Sequence, residues 1–261
     1  MHTSHLFILT GASRGMGLAM AQQLLQPVHT LLCMARHHSA TLHELALASG
    51  VVLEQWQLDL SEAEAAAEQL RAWLATHSAV ALAAGVPSPF ASATLINNVG
   101  AMLPIAPLSA SAPAALAQAL RASLEAPMRL SASFLAGTEA WAAPRKVLNI
   151  SSGPGRRAMA SQAPYCAAKA GIDHFTRCMA LEEALKPHGA KVCALAPGVI
   201  DTDMQIQLRS ADPAAFPDAA QFTYLKYADM LTSPADAAAR VLAWLARPDF
   251  GSEPVADVCS A

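Results

Sequence analysis

Short apolar runs alternate with longer stretches of helical periodicity along the chain. The apolar runs predict strands at 6–9, 31–35, 51–58, 94–97, 147–150, 191–195 and 254–258. Helices are predicted at 12–26, 61–76, 112–137, 164–186 and 234–247, with Ser61 as the cap of the second. Strands that alternate with helices in this way form βαβ units. We therefore predict an α/β fold with a doubly wound, mostly parallel sheet and helices on both faces.

The segment at about 202–230 departs from this alternation. It contains Pro213 and Pro217 and few apolar positions at regular spacing. Because long irregular segments of this kind often cover binding sites, we predict a substrate lid here. The chain shows no repeat and no low-complexity linker, so residues 1–261 are predicted to form one domain.

Composition narrows the classes of function. The 261 residues are 54% hydrophobic and 14% charged, which excludes a disordered chain. A net charge of −3 provides no basic surface for nucleic acid, and no apolar run reaches the roughly 18–20 residues of a membrane helix. The first residues lack the basic region of a signal peptide, and the five cysteines form no CxxC pair. We expect a cytoplasmic protein without a nucleic-acid partner, a membrane partner or a metal.

A glycine-rich turn, TGASRGMG at residues 10–17, follows the first predicted strand and opens the first helix. Turns in this position bind dinucleotides, because glycine lets the backbone approach a pyrophosphate and the helix N-terminus favours its negative charge. The alternative is an ordinary tight turn between a strand and a helix. The predicted cofactor contacts in this turn are Gly11, Ser13, Arg14, Gly15, Met16 and Gly17.

The choice between NAD and NADP depends on the end of the second predicted strand. Arg36 stands where many dinucleotide folds carry an acidic residue. An arginine suits a 2′-phosphate, and Arg14 can reach the same corner, so the two residues together favour NADP(H). The alternative is that both are unrelated surface arginines. Asp59 ends the third strand with Leu60 beside it, and it either contacts the adenine ring or caps the following helix.

Tyr165 and Lys169 lie four residues apart at the start of a predicted helix, which places them on one face, one turn apart. A tyrosine is a poor acid at neutral pH, and a neighbouring ammonium lowers its pKa. The pair therefore forms a tunable proton donor, or else an ordinary half-buried helix start. Ser152 follows the fifth predicted strand, so it lies at the same carboxyl edge of the sheet. Its hydroxyl either holds a carbonyl oxygen beside the tyrosine or caps a turn.

Five motifs in a fixed order indicate a family. TGASRGMG, NNVG at 97–100, NISSG, YCAAK and APGVIDTDM at 196–204 together resemble the short-chain dehydrogenase/reductase family over nearly the whole chain. The resemblance implies a single-domain Rossmann fold and catalytic roles for Ser152, Tyr165 and Lys169. It also implies that NNVG lies beside the cofactor and that the last motif holds the nicotinamide carboxamide. The contacts implied in these two motifs are Asn98, Gly100, Pro197, Gly198, Val199, Ile200 and Thr202.

Within the family, DTDM and the two arginines are similar to sepiapterin reductase and benzil reductase-like members. Asp257 corresponds to an acid that grips the pterin in sepiapterin enzymes, or it is an ordinary residue of the last strand. Met102, Leu103 and Ile105 form either an apolar wall of the site or loop packing.

One position departs from the family pattern. The family carries a catalytic asparagine where this chain has Ser123, in the phrase SLEAP. In the family, the main-chain carbonyl at this position binds a water that leads to the lysine. Pro127 has no N–H to bond that carbonyl. One interpretation is that the relay is broken and the enzyme is slow. We favour the other, that Ser123 acts through its carbonyl, with Pro127 imposing the local helix distortion.

These residues predict an NADP(H)-dependent carbonyl reductase or alcohol dehydrogenase that acts on a small molecule. Tyr165 gives the proton to the substrate oxygen, Ser152 orients that oxygen, and Lys169 holds the cofactor ribose and lowers the pKa of the tyrosine. The alternatives are a 3-oxoacyl thioester reductase and a non-catalytic NADP-binding sensor or scaffold. The resemblance also implies a homodimer or homotetramer, paired through the helices at 112–137 and 164–186.

Overall fold

A computed structural model describes residues 4–259, and the centre of this part of the chain is a sheet of seven parallel strands. The strands are β1 His5–Thr10, β2 His29–Ala35, β3 Val52–Gln57, β4 Ser92–Asn97, β5 Arg145–Ile150, β6 Lys191–Ala196 and β7 Val255–Asp257. Their order across the sheet is β3-β2-β1-β4-β5-β6-β7. The strand order reverses between β1 and β4, where ligands bind in α/β sheets. The predicted α/β fold is confirmed, while residues 1–3 and 260–261 of the predicted domain lie outside the described residues.

Helices cover both faces of the sheet. In chain order they are α1 Gly15–Leu24, α2 Ala40–Ser49, α3 Ala63–Ala83, α4 Pro113–Leu120, α5 Ala126–Thr138, α6 Ala163–Ala184, α7 Asp203–Arg209, α8 Ala219–Tyr227 and α9 Pro234–Ala246. α1, α2 and α9 pack on one face, and α3, α5 and α6 pack on the other. Within residues 4–259, no helix combines the length and the apolar character that crossing a membrane requires.

The two cores explain the apolar runs in the sequence. Leu6 and Ile8 of β1 are fully buried on the face covered by α3 and α5. Leu9 is fully buried on the opposite face, against α1 and α9, where Phe7 packs beside it. Because both faces of a parallel sheet are covered, its strands are apolar throughout instead of alternating with polar residues.

The ends of two predicted helices change in the structure. α1 begins at Gly15 instead of residue 12, because the preceding residues form the glycine-rich turn. α3 begins at Ala63 and continues to Ala83, beyond the predicted residue 76. The prediction that Ser61 caps this helix is wrong, since Glu62 occupies the cap position. The N–H of Ser61 instead donates to Oδ1 of Asp59 at 2.9 Å, in the turn before the helix.

No predicted element corresponds to α2. Ser39 caps its start, because its hydroxyl accepts a hydrogen bond from the N–H of Leu42 at 3.3 Å. Gly50 ends it with a φ of 66°, which suits glycine. Only Leu42 and Ala46 are buried within the helix, so it lacks the broad apolar stripe on which a prediction depends.

The predicted helix at 112–137 is divided in the structure. α4 ends at Leu120, the residues Arg121–Glu125 form one π-helical turn, and α5 begins directly after it. Pro127 lies in the first turn of α5 and is buried. The widened turn therefore lies immediately before Pro127, where we expected a local distortion.

The segment at 202–230 contains two helices, α7 and α8, although its sequence predicts an irregular excursion. The two helices share a small core of their own, built on Leu208, Phe216 and Phe222. Ile200 and Thr232 form a parallel bridge at its base, and the N–H of Asp201 donates to the carbonyl of Thr232 at 2.9 Å. The segment therefore leaves the fold and returns to it at the same place.

Candidate active site

A cavity of about 1070 Å³ opens at the carboxyl edge of the sheet. Its walls come from the glycine-rich turn, the ends of the central strands, the start of α6 and the segment at 202–230. All the residues predicted to contact the cofactor border this cavity, and so does Ser152. Sequence motifs spread from residue 10 to residue 204 thus meet at one site.

The glycine-rich turn presents its main chain to the cavity. Gly11 and Gly15 have positive φ values of 75° and 55°. A methyl group at Gly17 would lie 2.0 Å from the carbonyl oxygen of Gly11. Only glycine at this position lets α1 pack this closely against the turn, which keeps the floor of the cavity open.

Asn98 fastens the turn to the end of β4. Its side-chain amide donates to the carbonyl oxygen of Thr10 at 3.1 Å. The Thr10 hydroxyl in turn accepts hydrogen bonds from the N–H of Asn98 at 2.9 Å and of Val99 at 3.2 Å. The NNVG motif therefore holds the glycine-rich turn in place as well as bordering the cavity.

The end of the cavity beside β2 and β3 contains Arg36, Asp59 and Leu60. The hydrogen bond from the N–H of Ser61, together with the weaker charge effect of Arg36, holds the pKa of Asp59 below its ordinary value. Nη1 of Arg14 lies 3.1 Å from Oδ2 of Asp203, the first residue of α7. Arg14 thus pairs with the segment at 202–230 in this structure, and its part in binding a 2′-phosphate stays a prediction.

Tyr165 and Lys169 lie on adjacent turns at the start of α6, and Ser152 lies just after β5. Nζ of Lys169 donates to the carbonyl oxygen of Ile150 at 2.6 Å. The same Nζ lies 5.8 Å from the centre of the Tyr165 ring. The helix start and the strand end therefore bring the three side chains to one wall of the cavity, as the sequence predicts.

Burial dominates the electrostatics of this wall. It raises the pKa of Tyr165 above its ordinary value, and the hydrogen bond with Ser152 opposes that rise. It also lowers the pKa of Lys169 to about 8, against the opposing charge of Asp173. Desolvation of the phenol is thus the largest effect on this pKa in the structure, and the lowering by Lys169 stays a prediction.

Ser123 lies in the π-helical turn and is buried. Its hydroxyl accepts a hydrogen bond from the N–H of Ala101 at 2.9 Å, just after the NNVG motif. Ser123 does not border the cavity within the described residues. The hydroxyl therefore anchors the loop that follows the NNVG motif, a contact that the sequence does not predict. The role of its main-chain carbonyl stays a prediction.

The outer wall of the cavity is largely apolar. Its apolar side chains come from three segments of the chain: Met102, Leu103, Met159, Leu208, Phe222 and Leu225. Ile105 packs in the core of α7 and α8 and does not border the cavity. Gln205 also borders the cavity; it is buried, and its amide oxygen has no hydrogen-bond partner within residues 4–259. Asp257 lies at the cavity too, with Oδ2 3.2 Å from Nη2 of Arg156.

Two buried polar residues behind the site escaped the sequence predictions. Asn149 accepts a hydrogen bond from Nδ2 of Asn97 at 2.8 Å and donates to the Thr176 hydroxyl at 2.8 Å, which ties β4, β5 and α6 together. Asp173, one turn after Lys169 on α6, accepts a hydrogen bond from the Ser151 hydroxyl. The sequence carries a signal for each. Asn149 is a polar residue within an apolar strand, and Asp173 follows Lys169 at the four-residue spacing of one helical turn.

Known proteins and a family profile are similar to this chain in sequence. The family profile described as short chain dehydrogenase matches residues 5–213. Benzil reductase ((S)-benzoin forming) of Bacillus cereus is 33% identical over 227 residues, which are 87% of this chain and 88% of that protein. Sepiapterin reductase of Xenopus laevis is 31% identical in a match that covers 80% of each protein. The DTDM motif and the arginines Arg14 and Arg36 resemble these same two kinds of reductase.

The fold is shared with solved structures. The crystal structure of a short-chain dehydrogenase/reductase from Burkholderia vietnamiensis matches with a TM-score of 0.61 and 32% sequence identity, and the match covers 99% of both chains. The similarity thus extends over nearly the whole length of both chains.

Proposed function

The chain belongs to the short-chain dehydrogenase family, and on that premise we propose that it is an NADP(H)-dependent reductase of small carbonyl compounds. One observation carries the proposal: Ser152, Tyr165 and Lys169 border the same cavity as the glycine-rich turn. A protein that only sensed or displayed NADP would have no need of this proton-donating group.

The cavity fits a nicotinamide dinucleotide. The close packing at Gly17 exposes the main chain of the turn and the N-terminus of α1, a combination that binds a pyrophosphate. Arg36, exposed at the end of β2, is placed to bind a 2′-phosphate, which supports NADP(H) over NAD(H). When bound, the cofactor supplies the hydride or accepts it.

The protein's own residues handle the proton and the substrate oxygen. Tyr165 donates its proton to the carbonyl oxygen as the carbonyl carbon is reduced, and it accepts a proton in the reverse direction. The Ser152 hydroxyl bonds the same oxygen and stabilises the charge that develops there. The cation of Lys169, held by the carbonyl of Ile150, lies close enough to stabilise a phenolate on Tyr165.

The apolar outer wall supports a substrate with an apolar body around its carbonyl group. The similarity to a benzil reductase agrees with this, so aromatic ketones and vicinal diketones come first among candidate substrates. The thioester reductase alternative calls for a basic surface that meets an acidic carrier protein. Arg156 and Arg157, beside the cavity, are already paired with Asp257 and Asp218, which does not favour that alternative.

The test is reduction of a panel of ketones, diketones, pterins and sugars, followed through the absorbance of NADPH. In the variant Tyr165→Phe, turnover of the best substrate should fall by about 10²–10⁴-fold with NADPH affinity unchanged, because only the proton donor is lost. Tyr224→Phe is the matched control, since Tyr224 is an exposed tyrosine on α8. Near-normal turnover by the Tyr165 variant would exclude the assigned proton donor.

We also propose a cytoplasmic homodimer or homotetramer. Leu181 on α6 and Leu185, directly after its end, have 72% and 87% of their surface accessible, beside small alanines. Such a surface is suited to pairing with a second copy. The cysteines of the described chain are free thiols, in keeping with a reducing compartment. Light scattering should give a multiple of 27.2 kDa, and a monomer at micromolar concentration would contradict the assembly.

A further inference from the structure

A buried carboxylate lies directly behind the lysine of the site. Asp173 follows Lys169 by one turn of α6, and only 2% and 4% of the two residues' surfaces are exposed. One carboxylate oxygen of Asp173 accepts the hydrogen bond of the Ser151 hydroxyl. The other oxygen has no hydrogen-bond partner within residues 4–259. A buried anion that is only half bonded is costly, so a nearby positive charge is needed to offset the cost.

Lys169 supplies that positive charge. Its Nζ donates to the neutral carbonyl of Ile150 at 2.6 Å, which orients the ammonium group without neutralising it. Burial lowers the pKa of Lys169 to about 8, and the charge of Asp173 opposes this fall. The two residues therefore form a buried pair of opposite charges that interact through space along one face of α6.

Few other titratable groups face this pair. β6 contributes the Cys193 thiol, and burial raises its pKa to about 11, so it stays neutral. The 153–155 turn and α4 contribute no titratable side chain. Within four residues of the pair on its own helix are Tyr165, Cys166, His174 and Arg177, and β7 and the π-helical turn contribute Asp257, Arg121 and Glu125. Asp257 and Glu125 are each paired with an arginine, which reduces their influence on Lys169.

We propose that Asp173 is a positioning residue whose buried charge keeps Lys169 protonated, with Ser151 holding the carboxylate in place. The inference rests on the proposed function, because only there does the cation of Lys169 act on Tyr165. Asp173 touches neither substrate nor cofactor in this role. It acts on the reaction through the charge of the lysine alone.

The first test is the pH dependence of kcat/KM for carbonyl reduction by Asp173→Asn. Loss of a negative charge lowers the pKa of both Lys169 and Tyr165, and reduction requires both in their protonated forms. The alkaline limb of the profile should therefore move to lower pH by about one unit. Asp173→Glu, which keeps the charge, should restore the limb. An unshifted limb in Asp173→Asn overturns the proposal.

Two controls separate charge from structure. Ser151→Ala removes the hydrogen bond and keeps the charge, so its limb should stay where it is in the wild type. Glu183→Gln neutralises another buried carboxylate on the same helix, far from the lysine, and should also leave the limb in place. If either control moved the limb as far as Asp173→Asn, the effect would be structural and the proposal would be wrong.

A second test needs no substrate, so it stands if the proposed function fails. Because the folded-state pKa of Lys169 lies below its unfolded value, the protonated lysine destabilises the fold at low pH. This penalty fades as pH rises through about 8. Asp173→Asn deepens the penalty only while the lysine is charged. The difference in Tm between wild type and variant should thus shrink from about pH 7 to about pH 10.

A Tm difference that stays constant with pH overturns the charge role, even in an active enzyme. If no substrate is found but the Tm difference shrinks as expected, the proposed function fails and the charge pair stands. Should Asp173→Asn not fold, Asp173→Ser offers a smaller neutral side chain with room for water, and the same two outcomes apply to it.

Discussion

The floor and the lid of the cavity, which face each other, are built from different kinds of interaction. The floor consists of the glycine-rich turn and the end of β4, held by main-chain contacts and by the bonds between Thr10 and Asn98. The lid, residues 202–230, packs its small apolar core against Met102, Ile105 and Met159 of the rest of the protein. Polar contacts add to this packing: Arg14 with Asp203, Arg157 with Asp218, Lys226 with Asp201 and the Ser161 hydroxyl with the Ala215 carbonyl.

The energies of the two kinds of contact differ. Exposed ion pairs contribute about 0–1 kcal/mol each to stability. A close main-chain contact is stricter, because any atom added to it displaces the backbone. The floor therefore unfolds only with the sheet, and we expect the lid, which has the smaller core, to open at lower cost. We propose that the cofactor binds at the floor and that the lid moves when substrate is exchanged.

The largest expected effect is at the floor. Gly17→Ala places a methyl group 2.0 Å from the carbonyl oxygen of Gly11, so the turn must shift. We expect a loss of stability of about 3 kcal/mol or more and no measurable NADPH binding by fluorescence titration. Gly153→Ala is the control, because a methyl group there meets no atom within 4 Å. Normal NADPH binding by Gly17→Ala would show that the floor is not rigid.

In the lid, removal of a buried ring should act locally. Phe216→Ala empties the centre of the lid core and weakens it by about 3–5 kcal/mol. We expect KM for the carbonyl substrate to rise while the Tm of the sheet stays nearly unchanged. Phe134→Ala, an equally buried ring on α5, should lower the Tm instead. Equal losses of Tm in the two variants would mean that lid and sheet unfold together.

A smaller effect is expected at the cofactor end of the floor. Arg36→Asp removes the partner of a 2′-phosphate and supplies an acceptor for a ribose hydroxyl. The ratio of Kd values should shift toward NADH by about tenfold or more, measured by titration of both cofactors. Tighter binding of NADH than NADPH by the wild type would already refute the preference.

The smallest effect belongs to the ion pair between floor and lid. Asp203→Asn releases Arg14, and because both partners are 72% exposed, the change in substrate KM should be less than about threefold. The difference should vanish in high salt. Glu68→Gln, which breaks an exposed pair on α3, is the matched control. A large effect that persists in salt would show that this pair is a structural lock.

The same contrast explains what could be predicted from the sequence. The turn around Gly17 follows from local rules, since a strand, a glycine motif and a helix are consecutive in the chain. The helices of the lid do not, because Phe216 and Phe222 bury against each other and against Met159 at no regular spacing. The apolar residues of the lid can be recognised as a core only when the fold places Met159, which is distant in sequence, beside them.

The site shows a similar limit. Tyr165, Lys169 and Ser152 are identified by motif and spacing, and the structure brings them to one wall. The pKa of Tyr165 could not be predicted in the same way, because its direction depends on how deeply the fold buries the phenol. The hydrogen bond that the N–H of Ala101 donates to the Ser123 hydroxyl joins two segments that are distant in the sequence, so it could not be predicted either. One of these segments contains the π-helical turn.

Because the lid leaves and re-enters the fold at the bridge between Ile200 and Thr232, it behaves as a cassette. A change in the length of this segment mainly alters the entropy of closing the loop, because its ends are already joined. Each doubling of the loop length costs about 0.6 kcal/mol of folding free energy. The strands lie outside this segment, and the glycine-rich turn meets it through the exposed ion pair of Arg14 with Asp203. Exchange of residues 203–230 should therefore change the accepted substrate, while Thr202 and the residues proposed to handle the proton stay in place.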